Sequence, residues 1–319
     1  METAKRYWLK FSESKSSVFG LVIVLLFILL AFIGKSVVPY PEHIGAFTDF
    51  ASASQPPSAE HLCGTDLMGR DLFSRIIGSF HNTLIMGVLV LVISVPIGFV
   101  IGVVAGYNKG RMIDTVLMRI TDIFLSIPAL VLAMAIASVM EPNLTNSMLA
   151  ITIMWWPWYA RLSYGVSSSL RAENYIIYAE LAGASLPHII FREILPNCLS
   201  SVLTKMTLDM GYVIIMGATL SYAGLGEQAP APALGSMISS GVKYMPDQWW
   251  LTVFPALAII LIVLGFNLMG DGISNMLGTE ATPIFISISS IVWGVIMLLT
   301  ACVGFKGLKW LNYIAVPLL

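Results

Sequence analysis

The residues able to do chemistry are few in this chain, and they do not assemble into a catalytic set. Two pairs of opposite charge stand at helical spacing inside apolar text, Arg119 with Asp122 and Lys205 with Asp209. Charges strung through membrane helices would suit an ion-coupled carrier. Arg119 and Asp122, however, lie just beyond the short connection 107–113, close to one end of their helix. Lys205 and Asp209 read as an ion pair along one helix side. The four histidines, His43, His61, His81 and His188, are far apart, and Cys63, Cys198 and Cys302 lack the spacing of metal ligands. The cysteines read as small apolar fillers. Gly34-Lys35-Ser36 lacks the upstream glycine of a phosphate loop, and neither H-E-x-x-H nor G-x-S-x-G occurs. Asp66, Arg70 and Asp71 sit at helical spacing, where they can cap a short surface helix and pair with one another. Nothing here makes or breaks a bond, so any work this protein does draws its energy from another molecule.

The elements around these residues belong to a membrane protein. The chain is 57% hydrophobic and only 11% charged, where a soluble domain carries about a quarter charged residues. Its net charge of -1 gives no reason to expect nucleic acid. A spanning helix needs roughly 20 mostly apolar residues. Runs at 18–33, 84–105, 115–139, 147–166, 199–222 and 251–268 predict six, with 284–303 a possible seventh. The expected fold is therefore all-α, a polytopic transmembrane helical bundle.

Lys5, Arg6, Lys10 and Lys15 precede the first run, which exceeds the roughly 7–15 residues of a signal-peptide core and lacks a clean cleavage site. It reads as an uncleaved first helix. Lys and Arg placement puts the N-terminus in the cytoplasm, and 175–197 on the same side. Lys306 and Lys309 would break that bias if the seventh run inserts. Pro96, Pro128, Pro157 and Pro255 interrupt the runs; such kinks are compatible with a moving gate and equally with irregular packing. Gly98, Gly102 and Gly106 recur every four residues, which lets another helix approach closely. The stretch 224–250 is rich in Gly, Pro and Ala and ends in Trp249-Trp250, an ordinary membrane-interface pair.

One segment, 175–197, is too polar to cross a bilayer and too apolar and punctuated to be a plain linker. Gly183 can break one helix and start the next. Pro187 fits the first turn of the second helix, and Leu195-Pro196-Asn197 should stop it. Ile189, Ile190, Ile194 and Leu195 give that helix an apolar face. Two short helices at an angle form a docking element for another protein. From periodicity alone, an amphipathic helix lying on the inner leaflet is an equal alternative.

The text of this segment resembles the EAA-type cytoplasmic loop of binding-protein-dependent ABC importer permeases, specifically the C-type subunit of the dipeptide/oligopeptide/nickel branch. Tyr175, Ala179, Gly183-Ala184-Ser185 and Ile194-Leu195-Pro196-Asn197 carry the likeness. Cys63-Gly64-Thr65-Asp66 through Gly69-Arg70-Asp71 and Ser74-Arg75 is similar to the GTDxxGRDxxSR stretch of that subunit. So are 106–130, 220–226, 232–236, Trp249-Trp250 and 265–272, in order, over roughly residues 60 to 277. Two departures stand out: Tyr178 replaces a common small residue, and Glu180 stands where that branch often has Arg.

The resemblance implies a permease that neither binds nor hydrolyses ATP and carries no cofactor itself, with ATP and Mg on partner subunits. It implies two ATPase subunits, a second homologous permease subunit, an extracytoplasmic solute-binding protein and surrounding membrane lipid as partners. The setting would be a bacterial or archaeal inner membrane. Tyr175, Ala179, Glu180, Gly183, Ala184, Ser185, Pro187, Leu195 and Pro196 would dock the ATPase. Asp66, Arg70 and Asp71 would be structural or would help seat the binding protein. Peptides are the first cargo expected, with nickel chelates or other small solutes behind; a stand-alone ion-coupled transporter is the rival. The expected organisation is 1–81 for the tail, first helix and outer loop, 82–278 for the permease core with its coupling loop at 170–197, and 279–319 for an extra apolar segment. The end of that segment faintly resembles cytosine/purine-type permeases.

Overall fold

The computed structural model describes residues 2–277. Among them there is no strand, only an isolated bridge between Thr65 and Asp71. The helices are α1 (Glu2–Ser12), α2 (Lys15–Val37), α3 (Leu72–Tyr107), α4 (Met112–Leu125), α5 (Ala129–Ser138), α6 (Leu144–Leu170), α7 (Asn174–Leu181), α8 (Leu186–His188), α9 (Leu195–Tyr222), α10 (Leu234–Gly241) and α11 (Trp250–Leu277). A single π-turn, Ile189–Ile194, joins α8 to α9. Side-chain caps set several starts: Asp71 Oδ2 accepts from Ser74 N at 2.8 Å to open α3, and Asn143 Oδ1 accepts from Asn146 N at 2.8 Å to open α6.

Four continuous helical stretches are long and apolar enough to cross a membrane: Lys15–Val37, Leu72–Tyr107, Leu186–Tyr222 and Trp250–Leu277. The run expected at 115–139 is instead a bent pair, α4 and α5, meeting at 84°. Pro128 at the start of α5 accounts for the break, since the residue before a proline is steered away from helical backbone. The run at 147–166 becomes α6, 27 residues long. Its interior carries Trp155, Trp156, Pro157, Tyr159 and Arg161, which lowers its hydropathy below that of the other four. The six expected runs thus become four continuous spans, a bent pair, and α6 packed among them. The possible seventh, 284–303, lies outside the described residues, as does the whole segment 279–319.

The bundle is organised around α3, whose most extensive partner is α6. Gly98, Gly102 and Gly106 all face α6. A Cβ built on Gly98 would fall 2.7 Å from Tyr159 Cβ, one on Gly102 2.9 Å from the Ala160 carbonyl carbon, and one on Gly106 2.9 Å from Ser167 Cβ. The partner positions rise along α6 as the glycines rise along α3, so the two helices run parallel. Serines fill the space left by the missing side chains: Ser163 Oγ donates to Tyr159 O at 2.6 Å, and Ser167 Oγ reaches across to Val103 O at 3.1 Å. A second seam joins α2 to α11, where Gly20 meets Leu268 and Gly265 meets Ile23. Phe27 there contacts Phe80 and Phe266 at ring separations of 5.2 and 6.1 Å.

Lys205 and Asp209 do pair, at 3.1 Å. The pair is more than a helix-side ornament, because Asp209 is only 4% exposed and also accepts from Trp155 Nε1 at 3.0 Å, tying α9 to α6. Asp122 pairs with Arg161 of α6 across the bundle. Of the two interface tryptophans, Trp249 is exposed, but Trp250 is buried and its Nε1 donates to Thr65 O at 3.4 Å.

The α3–α6 seam makes a clear prediction. Gly102→Leu should destabilise the chain by about 1–3 kcal/mol through overpacking. Gly165→Ala, where nothing lies within 4 Å of the added Cβ, should leave stability unchanged or raised. Thermal unfolding of both variants in detergent distinguishes them; equal midpoints would refute the seam.

Candidate functional site

The sequence-predicted docking residues gather into an elbow. Its hinge is Gly183, at φ +81, in the left-handed region that glycine enters without a Cβ clash. Two backbone bonds close the end of α7 around it: Ala184 N donates to Ala179 O at 3.0 Å and Gly183 N to Glu180 O at 3.0 Å. This is a Schellman closure, and it explains locally why Ala179 and Ala184 are small: they meet where the chain reverses. Ser185 precedes α8, its carbonyl accepting from Ile189 N at 3.1 Å, and Pro187 sits in the first turn, where its missing N–H costs nothing.

The expected stop at Leu195-Pro196-Asn197 does not occur. The helix that begins at Leu186 runs on to Tyr222. Pro196 has no N–H and would crowd the carbonyl four residues back in a regular helix. The π-turn at Ile189–Ile194 widens that turn, with Leu195 N bonding to Ile190 O five residues earlier. The second arm of the elbow is therefore the first part of a membrane-spanning helix, and no joint separates it from the bundle.

Each arm has a buried and an exposed side. Ile176, Ile189 and Ile194 are at most 1% exposed, whereas Tyr178, Leu181 and Phe191 are 67%, 78% and 63% exposed. Tyr175 is exposed and its hydroxyl accepts from Asn197 Nδ2 at 3.4 Å, linking the two arms. Ala179, Ala184 and Leu195 are half-buried; Glu180, Gly183, Ser185, Pro187 and Pro196 are exposed. The exposed apolar side chains of this surface were not singled out by sequence reading, although the departure at Tyr178 pointed to one of them. Also unforeseen was Tyr107, at the end of α3, whose Oη donates to Glu180 Oε1 at 2.6 Å; Arg171, just after α6, lies over the Tyr107 ring.

At the opposite end of α3, Asp66, Arg70 and Asp71 form a knot of turns in place of a short surface helix. Asp66 Oδ1 accepts from Met68 N and Arg70 N at 2.9 and 3.0 Å, and its Oδ2 pairs with Arg70 Nε at 2.7 Å and Arg75 Nε at 3.4 Å. Asp71 caps α3 and pairs with His61 Nδ1 at 2.9 Å. The Asp71 N–H donates to His43 Nδ1 at 2.9 Å, so that nitrogen is unprotonated. Burial holds His43 below the ordinary imidazole pKa, against the opposing pull of Glu42 and Asp71. A cavity of about 330 Å³ opens beside Asp66, Arg70 and Arg75, with Glu227 and Gln228 on its far wall. Cys63 nearby is pushed up to about 11 by burial, which keeps it a thiol. Among the described residues no cluster of His, Cys, Asp or Glu could hold a metal ion.

A helical bundle with several apolar spans, one of them continuing directly into a bent foot, is a polytopic membrane protein. Two family models match it: the model of binding-protein-dependent transport system inner membrane components over residues 98–281, and that of the N-terminal transmembrane domain of oligopeptide transport permease C over residues 3–57. The chain belongs to the family of binding-protein-dependent transport system inner membrane components. It is similar to a probable D,D-dipeptide transport system permease protein of Escherichia coli K12, 40% identical over 87% of this chain and 92% of the relative. A di/tripeptide transport system permease protein of Pseudomonas aeruginosa UCBPP-PA14 is 36% identical over 86% of this chain and 91% of its own length. A glutathione transport system permease protein of Pectobacterium atrosepticum is 35% identical over 86% and 90%. Proteins of this family are permease subunits and are not themselves enzymes.

Both ends of the molecule yield tests. The Cβ of residue 183 would meet nothing within 4 Å, so substitution there costs only backbone strain. Gly183→Asn should be tolerated, while Gly183→Val should weaken the elbow by about 1–2 kcal/mol. Amide exchange across 174–185 reads the difference, and equal protection in both variants would contradict it. At the other end, the folded pKa of His43 is depressed. Its contribution to the knot is therefore complete above roughly pH 6.5 and is lost as the pH falls through the lowered value. Protection of the Asp71 amide, taken relative to its intrinsic exchange rate at each pH, should fall on acidification, and His43→Gln should abolish that pH dependence.

Proposed function

We propose that this chain is the C-type membrane subunit of an ATP-driven, binding-protein-dependent importer of peptides. The observation that carries the reading is the family match, together with near full-length similarity to permeases named for dipeptides, di/tripeptides and glutathione. In this reading the N-terminus and the elbow face the cytoplasm, and the knot at residues 61–75 faces outward. The chain pairs with a second, homologous permease subunit to enclose one pathway. Two ATPase subunits hold ATP and Mg, and an extracytoplasmic protein delivers the peptide.

The elbow is the docking element. Tyr178, Leu181 and Phe191 offer exposed apolar area at a bend bordered by His188, Arg192 and Glu193, the composition of a protein contact surface. Because α8 and the π-turn continue into α9, a push on the second arm of the elbow reaches a membrane helix with no intervening hinge. The knot at 61–75 braces the start of α3, and the cavity beside it lies on the side from which the binding protein would approach.

The chain purified alone is expected to show no ATP hydrolysis. The complex captured with it should hydrolyse ATP and drive uptake of a labelled dipeptide into vesicles. Hydrolysis by the isolated chain would overturn this reading, as would uptake driven by an ion gradient in the absence of the ATPase subunits.

A further inference from the structure

The elbow is attached to the bundle by its own chain at both ends and by one side-chain bond that sequence separation gives no reason to expect. Tyr107, the last residue of α3, donates from its hydroxyl to Glu180 Oε1 at 2.6 Å, across 73 positions. Arg171, immediately after α6, lies over the same ring with its guanidinium carbon 4.9 Å from the centroid. Its Nη1 also donates to the Tyr107 carbonyl. One tyrosine therefore joins α3, α6 and α7.

The chemistry of the joint is directional. A carboxylate is a strong acceptor for a phenol hydroxyl. A cation over the ring draws electron density from the phenol and makes its O–H a better donor. An arginine at position 180 could accept no bond from Tyr107 and would face Arg171 as a like charge. The tight glycine seam between α3 and α6 makes their two ends move together, so a force on Glu180 is delivered to both helices at once. Glu180 thereby gives the first arm of the elbow its own route into the bundle, independent of the route through α8 and α9.

We propose that Tyr107, Glu180 and Arg171 are positioning residues that latch α7 to the ends of α3 and α6 and transmit displacement of the elbow to them. This rests on the docking role assigned to the elbow above. Two measurements separate the latch from that role. In nanodiscs holding the chain alone, Tyr107→Phe should speed amide exchange in 174–181 by about tenfold, the loss of one hydrogen bond to a charged group, while 72–107 stays protected. In the complete transporter captured through a tag on this chain, the ratio of labelled dialanine taken up to ATP hydrolysed should fall at least about threefold in Tyr107→Phe. ATPase capture should be unchanged. In the chain alone, Glu180→Ala should speed exchange in 174–181 to the same extent, Glu180→Gln should speed it less, and the Tyr107→Phe/Glu180→Ala pair should be no faster than either single variant. Additive losses, or an unaltered ratio with unaltered exchange, would overturn the latch. A wild-type chain that captures no ATPase subunit would overturn the docking role, with the exchange result still deciding whether the latch holds α7.

Discussion

Close approach of α3 and α6 is the constraint on which the rest of this structure depends. In a membrane, apolar side chains gain nothing from leaving lipid for protein, so helices associate through van der Waals contact and hydrogen bonds at short range. Gly98, Gly102 and Gly106 remove the atoms that would hold the two helices apart, and Ser163 and Ser167 reach backbone carbonyls in the space created. Parallel packing over this length brings the end of α3 beside the end of α6. That is why Tyr107 and Arg171, with no local relation in sequence, occupy one place.

The elbow is built on the same principle of removing an atom where the chain must come close or turn. Gly183 supplies the left-handed turn, and the small residues Ala179 and Ala184 let it close. The π-turn then absorbs Pro196 without ending the helix. A foot continuous with a membrane span is a stiffer connection than two short helices hung on flexible ends. The stiffness comes from an uninterrupted backbone, with the buried Ile176, Ile189 and Ile194 seating the bend against the bundle.

Charge within the bundle serves cohesion. Asp209 is buried, yet it is satisfied by Lys205 and by Trp155, and Asp122 is met by Arg161. The Trp155–Asp209 bond draws α6 toward α9, and the Asp122–Arg161 pair draws it toward α4. At the far end the same logic holds in the knot, where Asp66 collects two arginines and two backbone amides, and Asp71 both caps α3 and holds His61. Among the described residues, these paired ionisable groups place helices.

Much of this was legible in the sequence. Apolar runs of spanning length set the all-α bundle, because an unsatisfied backbone is too costly in lipid for anything but a helix or a closed barrel. The four-residue glycine repeat marked a close helix contact, and Gly183 with Pro187 marked the elbow, since both residue types act on their own backbone. What lay beyond reach depended on neighbours distant along the chain. The burial of Trp250 and the partners of Asp122, Asp209 and Glu180 each turn on which atoms the packed helices bring together. Local preference is written residue by residue, so the sequence alone determined the kind of element; only tertiary packing decided which of them meet, because contacts between residues 64 or 73 positions apart arise from the register of whole helices.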